Sequence, residues 1–512
     1  MIAEILAVAA FLFENCTGVL ISRTSIFRED EEQSLIQQDV RQYDDFLSFD
    51  PNDDVFREFD HPEGEEEDPK SWRKVRPAFK SSLWTSFKTV FATQILAGTG
   101  IGLLAIFITF LDFNFADLCY EKTSEWNTMP LKIQRIRVTA QSVEGFTIEL
   151  WYFLVLTTAF PGSLLKKLNL LVLNLLAAFT DMSYRLYLQL YGIYKLPWMS
   201  FPLNVLFTTM VLLNAWILGR HFSSLSIKGA VKYAFILSAQ FTLGMFITYL
   251  LVYKLLPWYN VQSESMKVFI AGACPIVTAI PKVVSRLGAQ KLNRVVHPGT
   301  ANVFVGALYG ASAIVFRIMQ AELSSIDLFI ALGIGHAFID MLERLTITMR
   351  DYLWERFCRL FCRQRRPLSK YSTPRSRRFM ADVSIQILIQ ESTSLIAALG
   401  FIHLFHFMYS NNKPPFTDNS VLINFAIRCI IGLCIDVVFN TISVVIQTRL
   451  MNIAVNRVWR KKWRYHLVVN LIITSLTIIY FTEYLLDVAR KKYDLNHPEE
   501  IRFFWNCSEP LL

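Results

Sequence analysis

Residues 383–408 read VSIQILIQESTSLIAALGFIHLFHFM, an apolar stretch in which Glu391 is the one residue charged at neutral pH. The stretch is long enough for a helix to cross a bilayer, since about 20 apolar residues suffice. Similar stretches recur along most of the 512-residue chain, which is 53% hydrophobic and contains 41 phenylalanines. Soluble proteins rarely build them repeatedly. The sequence therefore predicts an all-α polytopic integral membrane protein.

We predict a helical bundle of about eleven spans, with a range of 10–12. The spans are placed at 89–111, 146–165, 168–190, 199–219, 233–256, 267–284, 300–320, 324–346, 383–408, 421–447 and 466–486. The regions in chain order are a short apolar segment 1–22, an acidic disordered cytoplasmic tail 23–68, a basic amphipathic interfacial segment 69–88, spans one to eight within 89–346, a basic cytoplasmic loop 347–382, spans nine to eleven within 383–486, and an extracytoplasmic tail 487–512.

The charges between the spans orient the chain. Cytoplasmic loops of membrane proteins carry an excess of lysine and arginine, and the basic stretches of this chain alternate correctly if all of them are cytoplasmic. Eleven spans then place the N-terminus in the cytoplasm and the C-terminus outside it. The sequon at Asn506 agrees with this orientation, because glycosylation requires the extracytoplasmic face. Asn506 is therefore a glycosylation candidate.

The N-terminal region is strongly acidic. Residues 29–68 contain 17 of the 43 acidic residues of the chain and little apolar periodicity, a composition typical of disorder. Two short patterns within it resemble sorting signals that cytoplasmic sorting adaptors would read. Their candidate residues are Glu31, Leu35 and Ile36 in the first and Tyr43 and Phe46 in the second. They favour a plasma-membrane or endolysosomal location.

The segment that follows, 69–88, is basic and amphipathic. Its aromatic and aliphatic residues recur at three- and four-residue steps between positive charges, which is typical of a helix lying on a membrane surface. We expect it to contact membrane lipids of the anionic inner leaflet through Lys70, Arg73, Lys74, Arg76 and Lys80. The formal net charge of +8 is explained by such segments, and we predict no nucleic-acid partner.

Four ionisable residues lie inside three successive predicted spans: His336, Asp340, Glu391 and Asp436. A charged side chain at membrane depth costs roughly 2.5–3.5 kcal/mol on insertion scales, so it usually has a partner or a function. His336 and Asp340 are four residues apart, which places them on one helix face. The predicted topology puts the three carboxylates at similar depth in the inner half of the membrane. We interpret the four residues as an ion- or proton-binding site, in which His336 relays protons.

A second, outer polar layer is predicted from Arg317, Asp327, His403, His406 and Arg428. Arg317 and Asp327 are expected to pair across a tight hairpin. Buried polar residues of this kind also hold helices together without any further function.

The sixth predicted span contains Pro275 and Pro281. Proline removes a backbone donor and kinks a helix, so we predict a broken helix there. Broken helices line binding sites in many transporters, and a kink without function is the alternative.

The sequence contains no Walker A, GxSxG or HExxH motif, and its eight cysteines show no zinc-binding spacing. No cofactor, metal or catalytic residue is predicted. The leading hypothesis is an ion- or proton-coupled transporter of a small molecule or ion. The alternatives are a non-transporting membrane scaffold or receptor-like protein, and an intramembrane lipid-modifying enzyme.

Overall fold

The computed structural model describes residues 55–62, 70–118, 129–191, 200–223, 226–292, 295–362, 373–409 and 419–496. The predicted glycosylation site at Asn506 and the predicted sorting residues Glu31, Leu35, Ile36, Tyr43 and Phe46 lie outside the described residues.

The described part of the chain folds into α-helices connected by short turns. The helices are α1 (Trp72–Val75), α2 (Phe79–Phe115), α3 (Leu131–Glu149), α4 (Trp151–Ala159), α5 (Gly162–Lys167), α6 (Leu170–Leu190), α7 (Ser200–Phe222), α8 (Ile227–Asn260), α9 (Glu264–Lys291), α10 (Val303–Ala321), α11 (Ile326–Cys362), α12 (Pro374–Tyr409), α13 (Asn419–Met451) and α14 (Val455–Asn496).

Eight of the described helices are long and apolar enough to cross a membrane: α2, α7, α8, α9, α10, α12, α13 and α14. The fold class is thus confirmed, and the chain is an all-α polytopic membrane bundle. The number of spans, about eleven, stays a prediction. The three predicted spans without a counterpart among the eight are 146–165, 168–190 and 324–346.

The predicted span 146–165 is divided among α3, α4 and α5. Pro161 causes the second division. The residue before a proline is pushed out of the helical region, and Phe160 accordingly has extended backbone angles, φ −123° and ψ 151°. Other helices run further than predicted. The predicted loop 347–382 is helical at both ends, where α11 continues to Cys362 and α12 begins at Pro374.

Helix α12 is the centre of the bundle. The most apolar 18-residue stretch of this helix is completely buried. The helix packs against α2, α10, α13 and α14. Its polar side chains bond to neighbouring backbones: the Thr393 hydroxyl donates to the Gly98 carbonyl at 3.1 Å, and the Gln390 amide donates to the Gly306 carbonyl at 3.0 Å. A polar group at membrane depth needs such an internal partner. The polar residues of α12 therefore fix which helices surround it.

Two glycines allow these helices to approach α12. A Cβ atom at Gly98 of α2 would overlap the Ser392 hydroxyl, and a Cβ atom at Gly306 of α10 would overlap the Gln386 amide. Small residues let membrane helices approach closely enough for such contacts.

Residues 55–62 form a strap against one end of the bundle, and the prediction of disorder is wrong for them. Val55 and Phe56 are buried. The Asn452 side chain accepts from the Phe59 amide at 2.8 Å and donates to the Phe59 carbonyl at 3.1 Å. Asp60 forms two hydrogen bonds with the Arg457 guanidinium, at 2.7 and 2.8 Å. The acidic composition concealed these specific contacts, which offset the entropy of ordering the segment.

Asn452 also ends α13. It has a φ of 54°, in the left-handed region that asparagine tolerates better than most residues. The same residue therefore turns the chain from α13 into α14 and holds the strap.

The two carboxyls of the strap differ electrostatically. Hydrogen bonding to Arg457 holds the pKa of Asp60 below its usual value, whereas burial raises the pKa of Glu58. Because the pKa of this carboxyl is lower in the folded than in the unfolded protein, the contact contributes its full stability at pH values above the pKa in the unfolded chain. That stability is lost as the pH falls through the pKa in the folded protein. The Asp60–Arg457 contact is thus the part of the strap that acid weakens.

Replacing Asn452 with glycine should release the strap. Glycine keeps the left-handed backbone angle but removes both bonds to Phe59, each worth about 0.5–1.5 kcal/mol. We expect hydrogen exchange at residues 55–62 to accelerate by about tenfold or more, with no change in α12. Lys461→Gln, an exposed substitution nearby, is the control. Equal exchange in wild type and Asn452→Gly would contradict the role given to Asn452.

Candidate functional site

A cavity of about 500 Å³, counting the open space at its mouth, lies between α9, α10, α11 and α12. It is lined by residues within 274–282 on α9, 309–316 on α10, 336–344 on α11 and 387–391 on α12. The lining residues of α9, α10 and α12 fall near the middle of these helices, all three of which are candidate spans. The cavity is therefore halfway along the spans.

His336 and Asp340 form a hydrogen-bonded pair at the cavity wall. The imidazole Nε2 lies 2.9 Å from the Asp340 carboxylate, and the ring stacks on Phe316 with centroids 3.6 Å apart. Because Nε2 faces a carboxylate, it carries the proton when the ring is neutral, which leaves Nδ1 with a lone pair. The i, i+4 contact predicted from the sequence is present in the structure.

Glu391 is held by two neighbours. Its Oε2 accepts from the Asn440 amide at 2.6 Å, and its Oε1 lies 3.6 Å from an Arg344 guanidinium nitrogen. Arg344 also donates to the side-chain oxygen of Asn440 and to the Asp340 carbonyl, the latter at 3.3 Å. These contacts join α11, α12 and α13 around a carboxylate that is only 6% exposed.

Asp436 does not belong to this group, which corrects the predicted layer of three carboxylates. It forms two hydrogen bonds with Arg317 of α10, at 2.9 and 2.7 Å, and both side chains are 2% exposed. Glu391 instead bonds to Asn440, one helical turn beyond Asp436 on α13. Depths read from span boundaries could not separate positions one turn apart.

The expected pairing of Arg317 with Asp327 is therefore wrong. Asp327 is exposed at the start of α11, whereas Arg317 points into the bundle, where Gln320 also accepts from it at 2.8 Å. A hairpin brings two backbones together but does not determine where their side chains point.

Arg428 caps α10. Its guanidinium donates to the carbonyls of Ala321 at 2.9 Å, Leu323 at 3.0 Å and Ser324 at 3.3 Å. The last carbonyls of a helix lack partners within the helix, so this contact is structural.

The two histidines of the predicted outer layer do not join it. His403 Nδ1 lies 2.7 Å from the Leu399 carbonyl of its own helix, and its ring packs edge-on against Phe425. His406 is exposed. The outer layer is thus several separate contacts and not one site.

The predicted broken helix is also wrong. Helix α9 runs from Glu264 to Lys291 without interruption through Pro275 and Pro281. Surrounding helices allow proline in membrane helices. Here the Thr278 hydroxyl donates to the Pro275 carbonyl at 3.1 Å. Pro275 nevertheless lines the cavity.

Lys282, Glu343 and Arg344 also line the cavity, although the sequence analysis did not select them. All three residues lie within three positions of the ends of the predicted spans 267–284 and 324–346. Helices α9 and α11 extend past those predicted ends, which brings all three residues inside the bundle. The residue spacing on α11 could have identified Arg344, because it lies four residues after Asp340 and so shares its helix face.

The arrangement can bind a proton at the imidazole, hold charges of both signs and accept hydrogen bonds. Among the described residues, no group of three or more His, Cys, Asp or Glu side chains is placed to hold a metal ion. The chain matches no family model, no curated protein and no solved structure.

Replacing Asp436 with asparagine should destabilise the bundle, because it leaves the buried Arg317 charge without its partner. Removing one member of a buried pair costs about 3–5 kcal/mol. We expect a clearly lower Tm in nanodiscs and substantial recovery in the double variant Arg317→Met with Asp436→Leu. Asp327→Asn, at an exposed aspartate, should change stability by less than about 0.5 kcal/mol. Equal Tm values for the two asparagine variants would contradict the pairing.

Proposed function

We propose that this multi-pass membrane protein is a proton-coupled transporter of a small solute. The observation that supports the proposal is the cavity halfway along three candidate spans. Transporters place their binding sites near the bilayer midplane, between helices that can move relative to one another. A protein that only scaffolds other proteins has no need for an open, charged cavity at that depth.

The His336–Asp340 pair is the proposed proton site. A histidine ring can gain and lose a proton, and here the Asp340 carboxylate lies 2.9 Å from the ring nitrogen Nε2. The charged groups that line the same cavity are Lys282, Glu343, Arg344 and Glu391. Protonation of His336 changes the charge at the cavity wall, and this change would couple a proton to the solute. Glu391 lines the cavity and is fixed in position by Arg344 and Asn440. Its proposed role is to bind the solute.

The orientation is proposed from the flanking charges, with the N-terminus in the cytoplasm. The strap and α1 would then face the inner leaflet. Around them, Phe79 and Trp84 are exposed, and the Lys88 ammonium lies 5.1 Å from the Trp84 ring centroid. Aromatic and basic side chains together suit a membrane interface. A plasma-membrane or endolysosomal location follows from the sequence patterns alone.

A non-transporting scaffold is the second candidate, and the contacts outside the cavity favour it. The Arg378–Asp382 pair is 0% exposed with an Nε–oxygen distance of 2.6 Å, and His466 lies 2.9 Å from the same carboxylate. The amides of Asn174 and Asn214 bond reciprocally at 2.8 and 3.0 Å. Such contacts hold helices together, so the two candidates must be separated by a flux measurement.

The test uses proteoliposomes with an imposed pH gradient and a lumenal pH dye. Small cations, anions, zwitterions and neutral solutes are added separately. We expect one class to dissipate the gradient through the wild-type protein and not through Asp340→Asn or His336→Gln, because those variants lose the proton site. Asp327→Asn should behave as wild type, since that side chain lies outside the cavity.

Thermal unfolding of the same preparations shows that each variant is folded. The proposal fails if no solute class dissipates the gradient through folded wild-type protein. It fails equally if folded Asp340→Asn and His336→Gln keep the wild-type flux, because the pair is then not the proton site.

A further inference from the structure

The cavity wall carries charges of both signs. Asp340, Glu343 and Glu391 supply three carboxylates, and Lys282 and Arg344 supply two cations. Two further arginines adjoin the wall: Arg350 lies 3.6 Å from Glu343, and Arg286 donates to the Tyr309 hydroxyl at 3.3 Å. A wall of mixed charge does not select strongly for a simple cation or a simple anion.

Three acceptor oxygens of the wall make no hydrogen bond within the described part of the chain: Glu343 Oε1, Gln390 Oε1 and Glu391 Oε1. Gln390 is 3% exposed and Glu391 6% exposed. Glu343 Oε1 and Glu391 Oε1 each lie 3.6 Å from an arginine nitrogen, which is an ion pair but not a hydrogen bond. Leaving a buried acceptor without a hydrogen bond costs about 1–3 kcal/mol. Together these atoms call for a ligand that donates several hydrogen bonds, as an ammonium group does.

Lys282, in contrast, requires a negatively charged hydrogen-bond acceptor. It is 8% exposed, and its ammonium lies 4.9 Å from the Tyr309 ring centroid. Glu343 and Asp340 interact with it electrostatically, yet no ion pair to it within 4.0 Å is formed by any described residue. A buried ammonium is satisfied best by a charged acceptor in direct contact.

We propose that the ligand is a small zwitterion, with an ammonium group bound by Glu343, Gln390 and Glu391 and a carboxylate bound by Lys282. This deepens the proposed function, since it names the class of solute that the transporter would carry. A simple amine would place a second cation beside Lys282 and leave Lys282 unpaired. A simple carboxylate would add a negative charge beside those of Glu343 and Glu391 and would leave the three acceptor oxygens without a donor. The zwitterion alone meets both demands and adds no net charge to the bilayer midplane.

The cavity also has apolar walls for the rest of such a molecule. Pro275, Ala313, Phe316 and Ile387 line it. Small-molecule sites usually combine apolar walls with a few placed polar groups. The experiment below determines which separation between the two charges of the ligand fits the cavity.

The test measures ligand-dependent thermal stability of the purified full-length protein in nanodiscs. Alanine, β-alanine and γ-aminobutyrate carry their two charges at increasing separation, and ethylamine and propionate each carry one of them. We expect at least one zwitterion to raise the Tm in a saturable manner. The two singly charged compounds should not do so at the same concentration.

Lys282→Met should weaken the zwitterion response about tenfold or more in apparent Kd, as expected for loss of a charged hydrogen bond. Lys282→Arg should retain most of it, which separates loss of the charge from misfolding. Lys228→Met, at an exposed lysine, should respond as wild type.

Saturable stabilisation by ethylamine or propionate alone would overturn the inference, and so would stabilisation by no member of the set. A wild-type zwitterion response in folded Lys282→Met would overturn it as well. Binding is measured without flux, so the two proposals fail separately. Zwitterion binding without dissipation of a pH gradient refutes transport, whereas dissipation by a simple amine beyond that in protein-free liposomes refutes the zwitterion.

Discussion

The position of Glu391, halfway along a buried helix, is the constraint on which the rest of this structure depends. A carboxylate at that depth has to be compensated within the protein, because the hydrocarbon around the bundle offers it nothing. Asn440 and Arg344 supply the compensation, and in doing so they fix α11 and α13 beside α12. Arg344 then places Asp340 and His336 one and two turns away on the same helix face. The position of one carboxylate thus determines the composition of the cavity wall.

The buried polar contacts of the molecule fall into two kinds. In one kind the partners satisfy each other, as Arg317 does with Asp436, Arg378 with Asp382, and Asn174 with Asn214. In the other kind, around the cavity, one side-chain oxygen each of Glu343, Gln390 and Glu391 makes no hydrogen bond within the described part of the chain, and the Lys282 ammonium lies 4.9 Å from the Tyr309 ring centroid. The first kind stabilises the bundle. The second kind costs stability unless a ligand occupies the cavity, which is the expected property of a binding site.

The sequence predicted contacts within one helix better than contacts between helices. Four-residue spacing predicted the His336–Asp340 pair because both positions lie on one face whatever surrounds the helix. It did not predict that Arg317 pairs with Asp436, since lateral neighbours depend on packing that apolar spans do not encode. Helix ends were the other source of error. Lys282 and Arg344 lie within two residues of the predicted span ends at 284 and 346, whereas α9 continues to Lys291 and α11 to Cys362. Composition concealed the ordered strap at 55–62.

The central claim is that the cavity beside Glu391 is reached from water and is not a dry gap between helices. Cysteine labelling tests this most directly. Ser312→Cys places a thiol at the cavity wall, and Ser238→Cys places one at a buried position outside the cavity. Labelling of the native membrane with a small, membrane-impermeant thiol reagent is followed by site-resolved mass spectrometry. The account predicts modification at position 312 and none at position 238. No modification at position 312 from either side of the membrane, in folded protein, would contradict it.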